Sequence, residues 1–162
     1  MTAPSKIIAG IDPGKSGAMA IVYPDNVVHF FDVPTVKLKG KDKPAWKEWD
    51  RTWRSALDFA GVDMIVIESV SAMPRQGVTS MFNFGRSLGF IHAIAASTGA
   101  VIEFVTPAVW KTKMGLLNSS KNASREVAGT LLPSAVPNLT RVKDDGRAEA
   151  ALLALYGRKY LA

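Results

Sequence analysis

The chain has 162 residues, 48% of them hydrophobic, and its 20 Lys and Arg against 14 Asp and Glu give a formal charge of +6. That length suits one ordinary domain spanning residues 1–162, and the hydrophobic share excludes a disordered chain. Cysteine is absent, which excludes disulfides and thiolate metal sites, so any metal must be held by oxygen or imidazole.

Residues 6–12 form a short apolar run ending in Asp12 and read as a buried first strand. Pro13, Gly14 and Gly17 make a tight turn. Residues 18–23 and 27–33 are strand-like, with the turn signal Pro24-Asp25-Asn26 between them, which predicts a three-stranded antiparallel meander. Residues 34–43, rich in lysine, read as a mobile surface loop, and Pro44 suits the first turn of a helix. Trp46, Trp49, Trp53, Leu57 and Ala60 then follow at spacings of three and four, an apolar stripe that predicts core rather than a base-stacking platform. Gly61 ends that helix. Residues 64–67 are continuously apolar, as in a strand covered on both faces, and they end at Glu68.

A long helix is predicted over residues 79–98, closed by Gly99, and a fifth strand over 101–105. Pro107 opens a short helix through Lys111, Ser120 or Asn122 caps another through Leu132, residues 133–140 form a loop, and 145–160 form a final amphipathic helix. Three strands followed by helix, strand, helix, strand and helices make an α/β order.

The informative acids stand where acids are expensive. Asp12 and Glu68 each end an apolar strand, where an unpaired carboxylate is strongly disfavoured. Asp145 and Glu149 lie four residues apart on one helix face and repel unless something positive sits between them. Mg²⁺ or Mn²⁺ answers this pattern, because hard divalent ions take oxygen ligands. Two such ions can clamp the attacking and leaving oxygens of a phosphodiester displacement. Singly, each acid has an ordinary explanation: an Asx turn for Asp12, a strand end for Glu68, an N-cap for Asp144 or Asp145, a solvated face for Glu149. Together, in the order strand-Asp, strand-Glu, helix-Asp/Glu, they point to one site.

These residues resemble the RuvC family of Holliday-junction resolvases, particularly its phage-type members, over nearly the whole chain. The motifs are Ile-Ala-Gly-Ile-Asp12-Pro-Gly-Lys-Ser-Gly, Ile-Val-Ile-Glu68 with Phe84-Gly-Arg-Ser-Leu-Gly89, Thr106-Pro-Ala-Val-Trp-Lys111, and Asp144-Asp-Gly-Arg-Ala-Glu149-Ala-Ala-Leu. The resemblance implies an RNase H-like fold: a five-stranded mixed sheet, three antiparallel strands then two parallel, flanked by helices. It implies a crossover-junction endodeoxyribonuclease using Mg²⁺ or Mn²⁺, with two ions per site. It also implies a homodimer making paired symmetric nicks in four-way junctions, in a bacterial or phage-infected host cytoplasm, with no membrane association.

Carried over by motif, Asp12, Glu68, Asp145 and Glu149 correspond to the metal-binding acids. Lys111 and Lys121 resemble lysines beside the scissile phosphate. Bacterial members typically end in two aspartates three residues apart, whereas here an Asp and a Glu are four apart. Either Asp144 or Asp145 can therefore be the ligand, and helical facing favours Asp145. The aromatic that follows the strand-end Glu in bacterial members is missing, so junction wedging falls to Met73 or Phe82. DNA contacts are expected from Lys37, Lys39, Lys41, Arg75, Arg86, Lys111, Lys113, Lys121 and Arg125.

Gly85, Gly89 and Ala93 form a small-residue stripe that suits either the chain's own sheet or a two-fold contact. His29 and His92 read as structural. Gly14-Lys15-Ser16 fails as a P-loop, since Gly10 stands one residue too near. The Asp-x-Gly-x-x-Gly run of actin-like ATPases would require a second domain. The remaining alternatives are a broader flap or three-way-junction nuclease, an RNase H-type nuclease cutting hybrids, and a catalytically dead junction-binding module.

Overall fold

A computed structural model of the chain describes residues 6–120 and 122–162. Its main sheet contains β1 (Ile8–Asp12), β2 (Ala18–Val22), β3 (Val28–Asp32), β6 (Met64–Glu68) and β7 (Val101–Val105), in the order β3-β2-β1-β6-β7. β1, β2 and β3 pair antiparallel, whereas β6 and β7 run parallel to β1. This is the mixed sheet expected from the sequence.

Side-chain alternation along the strands divides the core into two layers. Ala9, Ile11, Ile65 and Ile67 face α1 (Trp46–Ala60) and α2 (Val78–Ala96), where Trp49, Trp53, Leu57, Ile91 and Ile94 are buried. Trp49 and Trp53 pack edge to face with centroids 5.4 Å apart. Ile8, Val66 and Ala20 face the other layer, built from α3 (Pro107–Lys113), α4 (Ala123–Leu131) and α5 (Asp145–Tyr160). Asp12 and Glu68 share the parity of Ile8 and Val66, so both belong to the α5 face.

Glycines set how closely α5 approaches. A Cβ at Gly10 would lie 2.0 Å from the Ala150 carbonyl oxygen, and one at Gly146 would lie 2.0 Å from that of Ser16. Backbone therefore packs against backbone at β1 and at the β1–β2 turn. The first turns of α5 are thereby drawn to the end of the sheet where Asp12 stands.

Two expectations are corrected. Residues 34–43 are not an irregular loop: β4 (Thr35–Leu38) and β5 (Lys41–Pro44) form a separate two-stranded hairpin. Its two-residue turn places Lys39 at φ 50° and Gly40 at φ 73°, the left-handed pair that matches the twist of a tight hairpin. Pro44 ends β5 instead of opening a helix, and α1 starts at Trp46. A proline is tolerated there because its missing N–H falls on an edge strand.

Candidate active site

Asp12 and Glu68 end neighbouring parallel strands, one residue beyond the Ile11–Ile67 register pair. Glu149 reaches them from the second turn of α5. Asp12, Glu68 and Glu149 each offer a carboxylate oxygen, and these oxygens all lie within 4.8 Å of one another. Such a donor set suits a hard divalent cation, which binds through a few carboxylates together with water and phosphate.

Each acid is steadied by a donor from a different element. Gly14 N–H donates to Asp12 Oδ1 at 2.9 Å across the β1–β2 turn. Trp110, fully buried on α3, donates its indole N–H to Glu68 Oε1 at 2.9 Å, and Glu68 itself is only 7% exposed. Lys111 Nζ lies 2.9 Å from Glu149 Oε1, which also accepts from the Ser124 hydroxyl at 3.3 Å. The short helix α3 thus touches two of the three acids through consecutive residues.

Electrostatics mark the same place. Burial pushes the Asp12 carboxyl up from 3.8 to about 7; the Gly14 bond opposes this, the charges of Glu149 and Glu68 add to it, and Lys111 eases it. Burial also raises the Glu68 carboxyl, opposed by the Trp110 hydrogen bond, with the Glu149 charge adding to the rise. Crowded carboxylates that resist ionisation are what a bound cation relieves.

Asp145 lies outside this three-acid cluster. Its carboxylate accepts from Arg125 Nε at 2.8 Å, and Arg125 also reaches the Asn122 side chain. The Asp145–Glu149 repulsion expected along α5 is therefore offset by two separate cations, Arg125 and Lys111. Asp144 has a different environment. It is 2% exposed and accepts from the Arg141 backbone N–H at 2.8 Å and from the Arg141 guanidinium. Burial alone would raise its carboxyl, but those Arg141 bonds and charges hold it below the usual carboxylate range. Asp144 fastens the turn before α5 through Arg141, with Arg147 3.8 Å away.

The other expected residues are spread more widely. Lys37, Lys39 and Lys41 stand exposed on the β4–β5 hairpin. Arg75 is exposed at φ 69°, and Met73 and Phe82 are exposed as well. Arg86 lies over the Trp46 and Phe82 rings, and Lys113 over Tyr160. Lys121 lies outside the described residues. His29 packs against Tyr23, and His92 against Phe104, away from the acids. Trp110, Ser124 and Arg147, which forks onto Asp32, were not anticipated. The only sequence signal for Trp110 was its place beside Lys111 in the third motif.

No known protein family and no curated protein matches the sequence. Solved structures do match. Thermus thermophilus RuvC, in complex with a Holliday junction substrate, aligns over 96% of this chain and 94% of its own at 19% identity and a TM-score of 0.69. The fowlpox virus Holliday junction resolvase aligns over 96% of this chain and 99% of its own at 18% identity and a TM-score of 0.54. The yeast mitochondrial Holliday junction resolvase aligns over 96% and 78% at 14% identity and a TM-score of 0.52. The chain has the RNase H-like fold of the RuvC-type Holliday junction resolvases.

Proposed function

We propose that the chain is a divalent-metal-dependent endonuclease that resolves four-way DNA junctions. The observation that carries this reading is the convergence of Asp12, Glu68 and Glu149 within 4.8 Å at one end of a RuvC-type sheet. Asp12, Glu68 and Glu149 would hold Mg²⁺ or Mn²⁺, two ions per site in this reading, with Asp145 at the rim. Bound ions supply Lewis-acid neutralisation of the charge that develops on a phosphodiester under attack.

The chain's own residues prepare that site. Gly14 and Trp110 hold one oxygen each of Asp12 and Glu68, and the other accepts no hydrogen bond among the described residues. Lys111 places a cation at the edge of the cluster, where a substrate phosphate could exchange with Glu149 as its partner. Lys121 is assigned the same role by the family resemblance. Arg75, Arg86, Lys113 and Arg125 provide backbone-directed positive charge, which gives affinity without reading base sequence. Met73 and Phe82, at 63% and 68% exposure, are exposed apolar side chains of the kind that wedges a branch point.

Paired nicking requires two sites. The exposed stripe Gly85, Gly89 and Ala93 supports a two-fold homodimer, because a Cβ at Gly85 or Gly89 would meet nothing within 4 Å. The chain's own sheet therefore does not account for the stripe, and close backbone approach by a second α2 would. No helix among the described residues is long and apolar enough to cross a membrane.

The test is a gel assay with four-way, three-way, flap, linear duplex and RNA–DNA hybrid substrates. Cutting of the four-way junction in Mg²⁺ or Mn²⁺, its loss in EDTA, and an Asp12→Asn variant that binds without cutting are expected. Equal cutting of linear duplex would refute junction selectivity. Preferred cutting of hybrids would replace the reading with an RNase H-type activity.

A further inference from the structure

Lys37, Lys39, Lys41 and Lys43 all stand on the β4–β5 hairpin with Asp42 as its one acid, and all four are exposed. Among the described residues none of them forms an ion pair. Around the carboxylate cluster the opposite holds, since Lys111, Arg125, Arg141 and Arg147 are each paired with an acid. The hairpin's charge is left for something outside the chain.

Sheet register says where that charge sits. Asp12 pairs with Ala18, and Ala18 with Asp32, so these three residues form one row across the sheet. β3 therefore leaves the sheet at the end that carries the carboxylates, two strand spacings or roughly 10 Å to the side. The hairpin starts three residues later. Its root is fastened twice. Ala45 N–H donates to the Pro34 carbonyl at 2.9 Å. Arg147, two residues before Glu149 on α5, forks onto Asp32 at 2.8 and 2.7 Å. The arm is thus tied to the helix that brings Glu149 and Asp145 to the site.

Its faces are unequal. Val36 pairs with Lys43 and Leu38 with Lys41, so two half-exposed apolar side chains share one face with two lysines. A four-residue strand is about 14 Å long. Phosphates of one DNA strand recur about every 3.4 Å along the helix axis, so the arm spans about four of them.

We infer that the β4–β5 hairpin is a DNA-gripping arm that lies along the phosphate backbone of the duplex flanking the cleaved bond, with Val36 and Leu38 against the sugars. This deepens the nuclease reading and rests on it. The ligand is a duplex arm of branched DNA, recognised by charge spacing and shape.

The experiment measures binding of a fluorescent four-way junction in EDTA over a range of KCl concentrations. The wild type is compared with a variant combining Lys37→Gln, Lys39→Gln, Lys41→Gln and Lys43→Gln. Each released phosphate contact contributes about 0.9 to the slope of log Kd against log salt, so the ceiling for four is about 3.6. A fall in slope of about 2 or more is expected, and a smaller fall overturns the inference. Lys6→Gln combined with Lys159→Gln, at the opposite end of β1 and α5, is expected to change the slope by less than about 0.5 on the same scale.

A second variant removes residues 35–44 and joins Pro34 to Ala45 through two glycines, across a gap the backbone already closes. It should reproduce the fall, and an unchanged slope in it also overturns the inference. A fall seen with single-stranded RNA and absent with DNA would do the same. Binding in EDTA needs no cutting. Failure of the nuclease reading would show as a wild type that does not cut junctions, and failure of the arm as an unchanged slope in a protein that does.

Discussion

Asp12→Asn tests the electrostatics of the site separately from its chemistry. The substitution preserves shape and keeps an acceptor oxygen for the Gly14 N–H, while removing the charge. The folded Asp12 carboxyl is pushed from 3.8 to about 7, chiefly by burial. At about 1.36 kcal/mol for each tenfold change in proton affinity, that interval amounts to roughly 4 kcal/mol. The raised folded value means the group favours the native state while it is protonated in both states, below pH 3.8. That contribution is lost as pH rises, and it is gone once pH passes about 7.

In metal-free protein at about pH 8 the ionised Asp12 therefore opposes folding, and Asn does not. Water at the outer edge of the site relaxes part of the cost, so a gain on the order of 2–4 kcal/mol is expected for Asp12→Asn. For a chain of this length that raises Tm by roughly 5–10 °C. Thermal melts of both proteins in EDTA near pH 4, 6 and 8 read the effect, which should vanish at the acid end. Adding Mn²⁺ should stabilise the wild type more and close the gap, because the ion binds only the native arrangement. An Asp12→Asn protein no more stable than wild type at pH 8 in EDTA would refute the argument that the fold carries the Asp12 charge at a cost, chiefly through burial.

Two further substitutions separate positioning from folding. Trp110→Phe keeps the buried ring and removes the indole N–H that holds Glu68; Mn²⁺ affinity, followed by titration, should weaken by about tenfold while junction binding in EDTA is retained, and an affinity within twofold of wild type would deny the positioning role. Asp144→Asn loses bonds that Arg141 makes to a buried carboxylate and should cost about 2–4 kcal/mol in urea unfolding near neutral pH. Because the Asp144 carboxyl is held low, its stabilisation is present above the usual carboxylate range and disappears as pH falls through its folded value. Asp145→Asn should instead leave unfolding nearly unchanged and slow junction cutting. The reverse pattern would make Asp144 the ligand.

The central strands were legible because they are buried on both faces, and that writes an apolar run into the sequence; β6 begins and ends where the run Met64 to Glu68 does. The acids were legible because an acid ending such a run has few innocent explanations. The hairpin was not. Its turn uses Lys39-Gly40 in place of the Asn-Gly or Asp-Gly that announces a tight turn, and apart from Pro44 its strands are exposed, with only Val36 and Leu38 as an apolar alternation too short to mark them. Trp110 was visible as a residue, but its donor role depends on α3 folding back over the end of β6, a tertiary fact with no local trace. The adjacent Asp144 and Asp145 differ only in what surrounds them, and sequence does not say that Arg141 takes one while Arg125 takes the other.

That difference in partners explains how an acidic site can exist before any ion arrives. Asp12 and Glu68, inside the fold, are held by neutral N–H donors, each taking one oxygen and leaving the carboxylate's charge in place. Glu149 and Asp145, on α5, are held by Lys111 and Arg125, whose positive charge offsets theirs. A neutral donor fixes geometry and leaves the negative charge in place for a cation, which is what inner metal ligands would require. A cationic partner on a long, part-buried side chain balances the outer acids, and turning its head group to a phosphate would trade one anion for another. Neutral donors are thus placed at the strand ends and cationic ones at the helix, and both follow from which acids end β1 and β6 and which stand on α5.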